Sequence, residues 1–253
     1  MDILKALDID LNERELICFV GGGGKTTTMF AIAQALKSLN KKVLVTTSTH
    51  IFYPDPVKEK YDNIIINNSE EIGIFNGIDK STVTVFGSDV VDIANGRKLS
   101  GPNKEFIENL FKKLKFDYIL VECDGSKRKP IKAPADYEPV VPNNATKTIG
   151  VIGLDAIGNP IDEEHVHRNE LFCDVAKRSP GERLDEEAVV NLILSSAGLF
   201  KGVPNGSERY ILLNKADDAQ RRKYAKSISA RLKEKKFLPK CIIAAMADNR
   251  LYT

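Results

Sequence analysis

The chain has no tryptophan and only three histidines, three methionines and four cysteines in 253 residues. Imidazole and thiol ligands are scattered, with no C-x-x-C pair and no ligand cluster of useful spacing, which weakens a metal-delivery role. Cys18 and Cys241 lie in apolar, strand-like runs and read as small core side chains. Unpaired thiols suit a reducing compartment, so the expected location is the cytoplasm. An excess of one charge sign is also missing. Thirty-seven Lys and Arg against 35 Asp and Glu leave a net charge of +2, which predicts neither nucleic acid nor an anionic membrane as partner. No apolar run reaches the length of a bilayer span. Residues 1–14 are broken by Asp2, Lys5, Asp8, Asp10, Glu13 and Arg14, unlike the apolar centre of a secretory signal. Internal repeats and low-complexity tracts are absent.

What is present is alternation. Short apolar runs at 16–20, 42–47, 63–66, 82–86, 117–122, 148–154, 209–214 and 241–245 read as strands. Several are continuous in Val, Ile and Leu, as strands covered on both faces must be. Amphipathic stretches at 26–38, 105–114, 185–197 and 218–235 read as helices between them. This pattern predicts an α/β fold over residues 1–253, a three-layer sandwich around a mainly parallel sheet. The basic residues of 218–235 read as a solvated helix face. Residues 125–145 contain four prolines, which forbid a regular helix, and a loop of that length is expected to be functional.

The first strand runs into Gly21, Gly22, Gly23 and Gly24, followed by Lys25, Thr26, Thr27 and Thr28. Strand, glycine loop, lysine and helix make a P-loop arrangement, so the sandwich is expected to be P-loop NTPase-like. The amides of residues 21–26 are expected to converge on a polyphosphate, helped by the positive end of the helix. Lys25 would reach the outer phosphates, and the Thr26 hydroxyl would bind Mg²⁺. The place of the usual leading glycine holds Phe19. The shortened form Gly-x-x-Gly-Lys-Thr is similar to the loop of the Mur ligases.

A second strand ends in Glu122-Cys123-Asp124. Carboxylates at the carboxyl end of a central parallel strand suit the metal side of such a site, and spacing leaves open which of Glu122 and Asp124 serves the metal. The strand 42–47 runs into Ser48, Thr49 and His50, so Thr46, Thr49 and His50 are candidates to contact the terminal phosphate. A further strand ends in Asn214-Lys215-Ala216-Asp217, which resembles the Asn-Lys-x-Asp motif of GTP-binding proteins. An Asp217 carboxylate would accept from guanine's ring N–H and amine and repel adenine, so GTP is favoured over ATP.

Seven segments together resemble the YqeC family, which is grouped with selenium-dependent hydroxylase accessory proteins. They cover residues 20–28, 45–51, 121–126, 131–142, 167–168, 198–204 and 213–217. Cys123 and Ser48 stand where that pattern has Ala and Thr, and Cys123 raises the question of thiol or selenium chemistry. The resemblance implies a P-loop domain with a part in maturing a selenium-dependent molybdenum hydroxylase or its cofactor. Lys127, Arg128, Lys129 and Lys132 would then receive an anionic, pterin-type substrate, with His165, His167 and Arg168 assisting. Arg128 and Arg168 are the candidates to stabilise charge during phosphoryl transfer. Two other readings stand beside this Mg²⁺-dependent NTPase. One is an ATP-dependent kinase or ligase acting on a small anionic molecule. The other is a nucleotide-gated chaperone for a hydroxylase apoprotein.

Overall fold

A computed structural model describes residues 2–69, 71–237 and 239–252. The strands are β1 (Glu15–Gly21), β2 (Lys42–Thr47), β3 (His50–Phe52), β4 (Asn63–Ile66), β5 (Thr82–Gly87), β6 (Asp89–Ile93) and β7 (Gly96–Ser100), then β8 (Tyr118–Glu122), β9 (Ile131–Lys132), β10 (Lys147–Gly153), β11 (Val166–His167), β12 (Glu208–Asn214), β13 (Lys240–Ala245) and β14 (Arg250–Tyr252). The helices are α1 (Ile3–Ala6), α2 (Lys25–Ser38), α3 (Pro56–Glu59), α4 (Lys104–Lys112), α5 (Asn169–Ala176), α6 (Glu186–Leu194) and α7 (Ala219–Glu234).

Nine strands make one sheet in the order β14-β13-β12-β10-β1-β8-β2-β5-β4, parallel except for β14. Period-two alternation explains why the run of β1 is apolar throughout. Leu16, Cys18 and Val20 enter the core on one face, and Ile17 and Phe19 enter the core on the other. The second face is covered by α1 and α2, with Met29, Ile32, Ala33 and Leu36 buried. The first face carries α4, α5, α6 and α7, together with Ile131, Ala133, Val141 and Ala145 of the Pro-rich segment. The result is a P-loop NTPase-like three-layer sandwich, and segment 125–145 is packed onto it as a wall.

Each of the eight expected strands is found, with ends shifted by a residue at most, and so are the four expected helices. A three-stranded antiparallel ribbon, β3-β7-β6, was not anticipated. Its hairpin turns at Ala94-Asn95, closed by the pairing of Ile93 with Gly96, which has φ +126°. Helix α5 was also missed. From β1 the chain goes to β2 on one side, and β8 leads to β10 on the other. The strand direction of travel therefore reverses beside β1, where open α/β sheets form a crevice at the carboxyl ends.

Candidate functional site

Gly21, Thr47, Glu122, Gly153 and Asn214 all lie at the carboxyl edge of the parallel strands, and Phe19 and Thr47 flank Glu122 in register. The glycine loop fills this edge because no side chain would fit. Gly23 has φ +82°, and a Cβ there would stand 2.3 Å from the Gly153 nitrogen. Gly24 has φ +124°, and its Cβ would stand 2.3 Å from Asn214 Nδ2.

The loop amides divide into two sets, which corrects the expectation that residues 21–26 all converge on one ligand. Gly21 N donates to Asp124 Oδ2, Gly22 N to the Val151 carbonyl and Gly23 N to the Lys129 carbonyl. Among the described residues, the amides of Gly24, Lys25, Thr26 and Thr27 meet no protein acceptor. Helices α4, α6 and α7 start on a capping Asn103, Asp185 and Asp218, whereas α2 starts on Gly24 with no side-chain cap. Its first turn presents donors and the positive end of the helix dipole toward an open space.

Lys25 is 3% exposed. Its Nζ donates to the Gly21 carbonyl at 2.6 Å and stands 3.2 Å from Asp124 Oδ1 and 3.5 Å from Glu122 Oε1. Burial works against its charge, but Asp124 and then Glu122 outweigh burial, so the ammonium holds its proton more tightly than usual. Burial raises the Glu122 carboxyl above its ordinary range, against the opposing pull of Lys25 and the Thr26 hydroxyl. Thr26 Oγ1 donates to Glu122 Oε2 at 2.7 Å.

Glu122 lines the cavity and Asp124 does not. Asp124 lies behind the loop between Lys25 and Lys132, whose Nζ is 3.1 Å from Asp124 Oδ2. Lys132, 1% exposed, also donates to Glu138, which in turn receives both Nη1 and Nη2 of Arg168. Five charges therefore run in one chain, Lys25–Asp124–Lys132–Glu138–Arg168, from the glycine loop to the far wall. Arg168 and Lys132 pull Glu138 below the usual carboxylate range in spite of its burial.

The cavity above this chain has a volume of about 740 Å³. Its walls include Thr27, Ser48, Thr49, His50, Lys127, Arg128, Tyr137, His167, Arg168 and Lys215. Sequence reasoning missed Phe52, Lys98 and Glu138. Glu138 stood within the distinctive segment 131–142, whereas nothing in the sequence marked Lys98. Two loop lysines expected to face a ligand are occupied elsewhere: Lys132 is buried in the ion chain, and Lys129 Nζ donates to the Glu164 carbonyl. Thr46 is buried and donates to the Phe86 carbonyl, and His165 pairs with Asp162 outside the cavity wall. Cys123 is buried in the core beside Cys18, on the adjacent strand.

At the other end, Asn214 Nδ2 donates to the Gly23 carbonyl at 2.8 Å and Oδ1 accepts from Met246 N, tying β12 to the glycine loop. Lys215 Nζ is 2.6 Å from Asp155 Oδ2. Asp217 is half-exposed, paired with Arg221 at 2.9 Å, and lies outside the cavity wall.

His167 sits beside Lys132 in the short parallel ladder of β9 and β11. Burial, then Arg168, Lys132 and Lys127, push its imidazole down from 6.5 to about 4. The unfolded chain binds the proton more readily, so the stability gained from a neutral His167 is present above 6.5 and is lost as pH falls toward 4. Urea unfolding at about pH 7 and about pH 5 is expected to show a smaller acid loss in His167→Gln than in the wild type. Equal losses would exclude His167 as the cause.

Fold and site together define the class: a P-loop NTPase-like α/β protein with an uncapped helix terminus and a cation-walled cavity at the carboxyl edge of its sheet. Residues 17–170 match a family model described as YqeC protein. A relative in Escherichia coli (strain K12), the Uncharacterized protein YqeC, is 32% identical over 216 residues, which span 83% of this chain and 80% of the relative. The chain belongs to the YqeC family. The matched region holds the glycine loop, Glu122, Asp124, Glu138 and Arg168, while Asn214, Lys215 and Asp217 lie beyond it. No helix among the described residues is long and apolar enough to cross a membrane.

Proposed function

We propose that this protein binds and hydrolyses a nucleoside triphosphate with Mg²⁺, GTP in preference to ATP, and acts in the cytoplasm. The observation that carries the reading is the first turn of α2. Four amides without protein acceptors lie beside the Lys25 ammonium, which two carboxylates hold charged and in place. That set matches the charge and hydrogen-bonding needs of a terminal phosphate group. Lys25 and these amides would stabilise charge growing on the outer phosphates. Asp124 acts as a positioning residue, since it holds both the ammonium and the Gly21 amide.

The donor chemistry also fits a hard divalent cation. Among the described residues no cluster of three or more His, Cys, Asp or Glu side chains could hold a metal alone. Thr26 Oγ1 and Glu122 Oε2, already in contact, offer the oxygen pair that Mg²⁺ takes when phosphate and water complete its shell. When bound, the ion supplies charge neutralisation at the phosphates. The part in maturing a selenium-dependent molybdenum hydroxylase, with a pterin-type anion or the apoprotein as partner, rests on the resemblance of the seven segments described above.

Guanine preference rests on Asp217 next to Lys215. Asp217→Asn is expected to weaken Mg·GTP at least about tenfold and to leave Mg·ATP within about twofold, read by titration calorimetry. Equal losses would remove the guanine assignment, and failure of the wild type to bind either nucleotide would remove the whole reading.

A further inference from the structure

On the side of the cavity away from Lys215, the wall is built by β3, β7 and the loop after β8, and the charges there are not balanced. Arg128 Cζ lies 3.8 Å from the centroid of the Phe52 ring, and Lys98 Nζ approaches the same ring at 6.0 Å. Among the described residues neither cation has a carboxylate within ion-pair distance, and neither does the adjacent Lys127. Elsewhere in the cavity the cations are compensated: Lys25 by Asp124 and Glu122, Arg168 by Glu138, Lys215 by Asp155. One aromatic face attracts a cation weakly, and two like charges gathered around it repel.

The backbone adds an independent observation. Lys127 and Arg128 are consecutive non-glycine residues at φ +49° and +62°. Such left-handed pairs cost free energy and persist where the surrounding structure demands them, most often at binding sites. Here the turn places Arg128 over the Phe52 ring, in the cavity that Thr26 also lines. A guanidinium held over a ring face by its central carbon spends none of its N–H donors on the ring, and that fork is what receives a carboxylate or phosphate.

The geometry points to a second anion site, formed by Arg128 and Lys98 over Phe52, that takes the carboxylate or phosphate of a small molecule other than the nucleotide. As the co-substrate side of a nucleotide-driven reaction it rests on the reading above. As an anion site it does not. A small molecule is the occupant because Arg128 and Lys98 line the same cavity, of about 740 Å³, as the first turn of α2.

The test is titration calorimetry of inorganic phosphate and of succinate into the wild type, Arg128→Ala, Lys98→Ala and Phe52→Leu, each also made in a Lys25→Ala background. Thermal melting first verifies that each variant folds. At least one anion is expected to bind the wild type, with each of the first two substitutions weakening it about tenfold. Phe52→Leu, which removes the shared platform, is expected to weaken it as well. The losses should be equally large in the Lys25→Ala background. A response to phosphate alone or to succinate alone would assign the head group. Three outcomes would overturn the proposal. Anion binding could be indifferent to Arg128 and Lys98. The losses could appear only when Lys25 is intact, which would put the anion on the glycine loop. Or Arg128→Ala could weaken Mg·GTP far more than Mg·GDP, which would make Arg128 a γ-phosphate contact. Absence of nucleotide binding in the wild type would leave the anion titrations readable and would count against the nucleotide reading alone.

Discussion

Lys25→Ala is expected to lower nucleotide hydrolysis by at least about a hundredfold, the loss typical of removing one group that stabilises transition-state charge. Phosphate release measures this, and titration of Mg·GTP should show a parallel loss of binding. Hydrolysis and binding at wild-type levels would refute the phosphate site. The structure adds a second consequence. Lys25 is also the counter-charge of Asp124 and Glu122, both buried. Without it, Glu122, which burial already raises, loses the cation that opposes burial, and its folded-state pKa must rise further above that of the unfolded chain. A raised acid pKa gives stability at low pH that disappears as pH rises through the folded value. The variant should therefore be destabilised most near neutral pH and less in mild acid. Unfolding at the two pH values separates loss of folding from loss of the phosphate ligand, because an assay under conditions where the variant is folded reads the second alone.

The other large effect belongs to a residue far from the glycine loop in sequence. Lys132→Met should destabilise the protein by about 3–5 kcal/mol, as removal of one partner of a buried ion pair does. Lys132 Nζ touches Asp124, Glu138 and the Gly125 carbonyl, and the residue is almost fully buried. The urea midpoint should fall with the slope unchanged. Lys129→Ala, in the same loop but with an exposed hydrogen bond, should change stability by no more than about 0.5 kcal/mol. The double variant Lys132→Met, Glu138→Gln should recover part of the loss, since it removes opposite charges together. Wild-type stability in Lys132→Met would show that the ion chain is not what holds the Pro-rich wall against the sheet.

Much of the architecture was legible because it depends on local pattern. Runs such as 16–20 and 118–121 are apolar on both faces, which only a strand between two helical layers requires. The helix at 25–38 announced itself by its periodicity and by the glycines before it. Ribbon β3-β7-β6 was harder, since its strands are short and half-exposed, with Ile51 and Leu99 as the side chains that enter the core. The glycine loop between β1 and α2 was readable, but not its division into amides used by the protein and amides left open. That division depends on Val151 and Lys129, residues more than a hundred positions away.

Sequence by itself determined the alternation of strands and helices, the glycine loop with its lysine, and the acidic end of the central strand. Each follows from the conformational and solvation preferences of residues close together in the chain. Tertiary structure alone decided that Asp124 is a buried clamp while Glu122 faces the cavity. It alone joined Lys132, Glu138 and Arg168 into one ion chain, and brought Arg128 and Lys98 onto a single ring. Charges interact through space at a few ångströms, and folding, not chain order, sets which of them come within that distance.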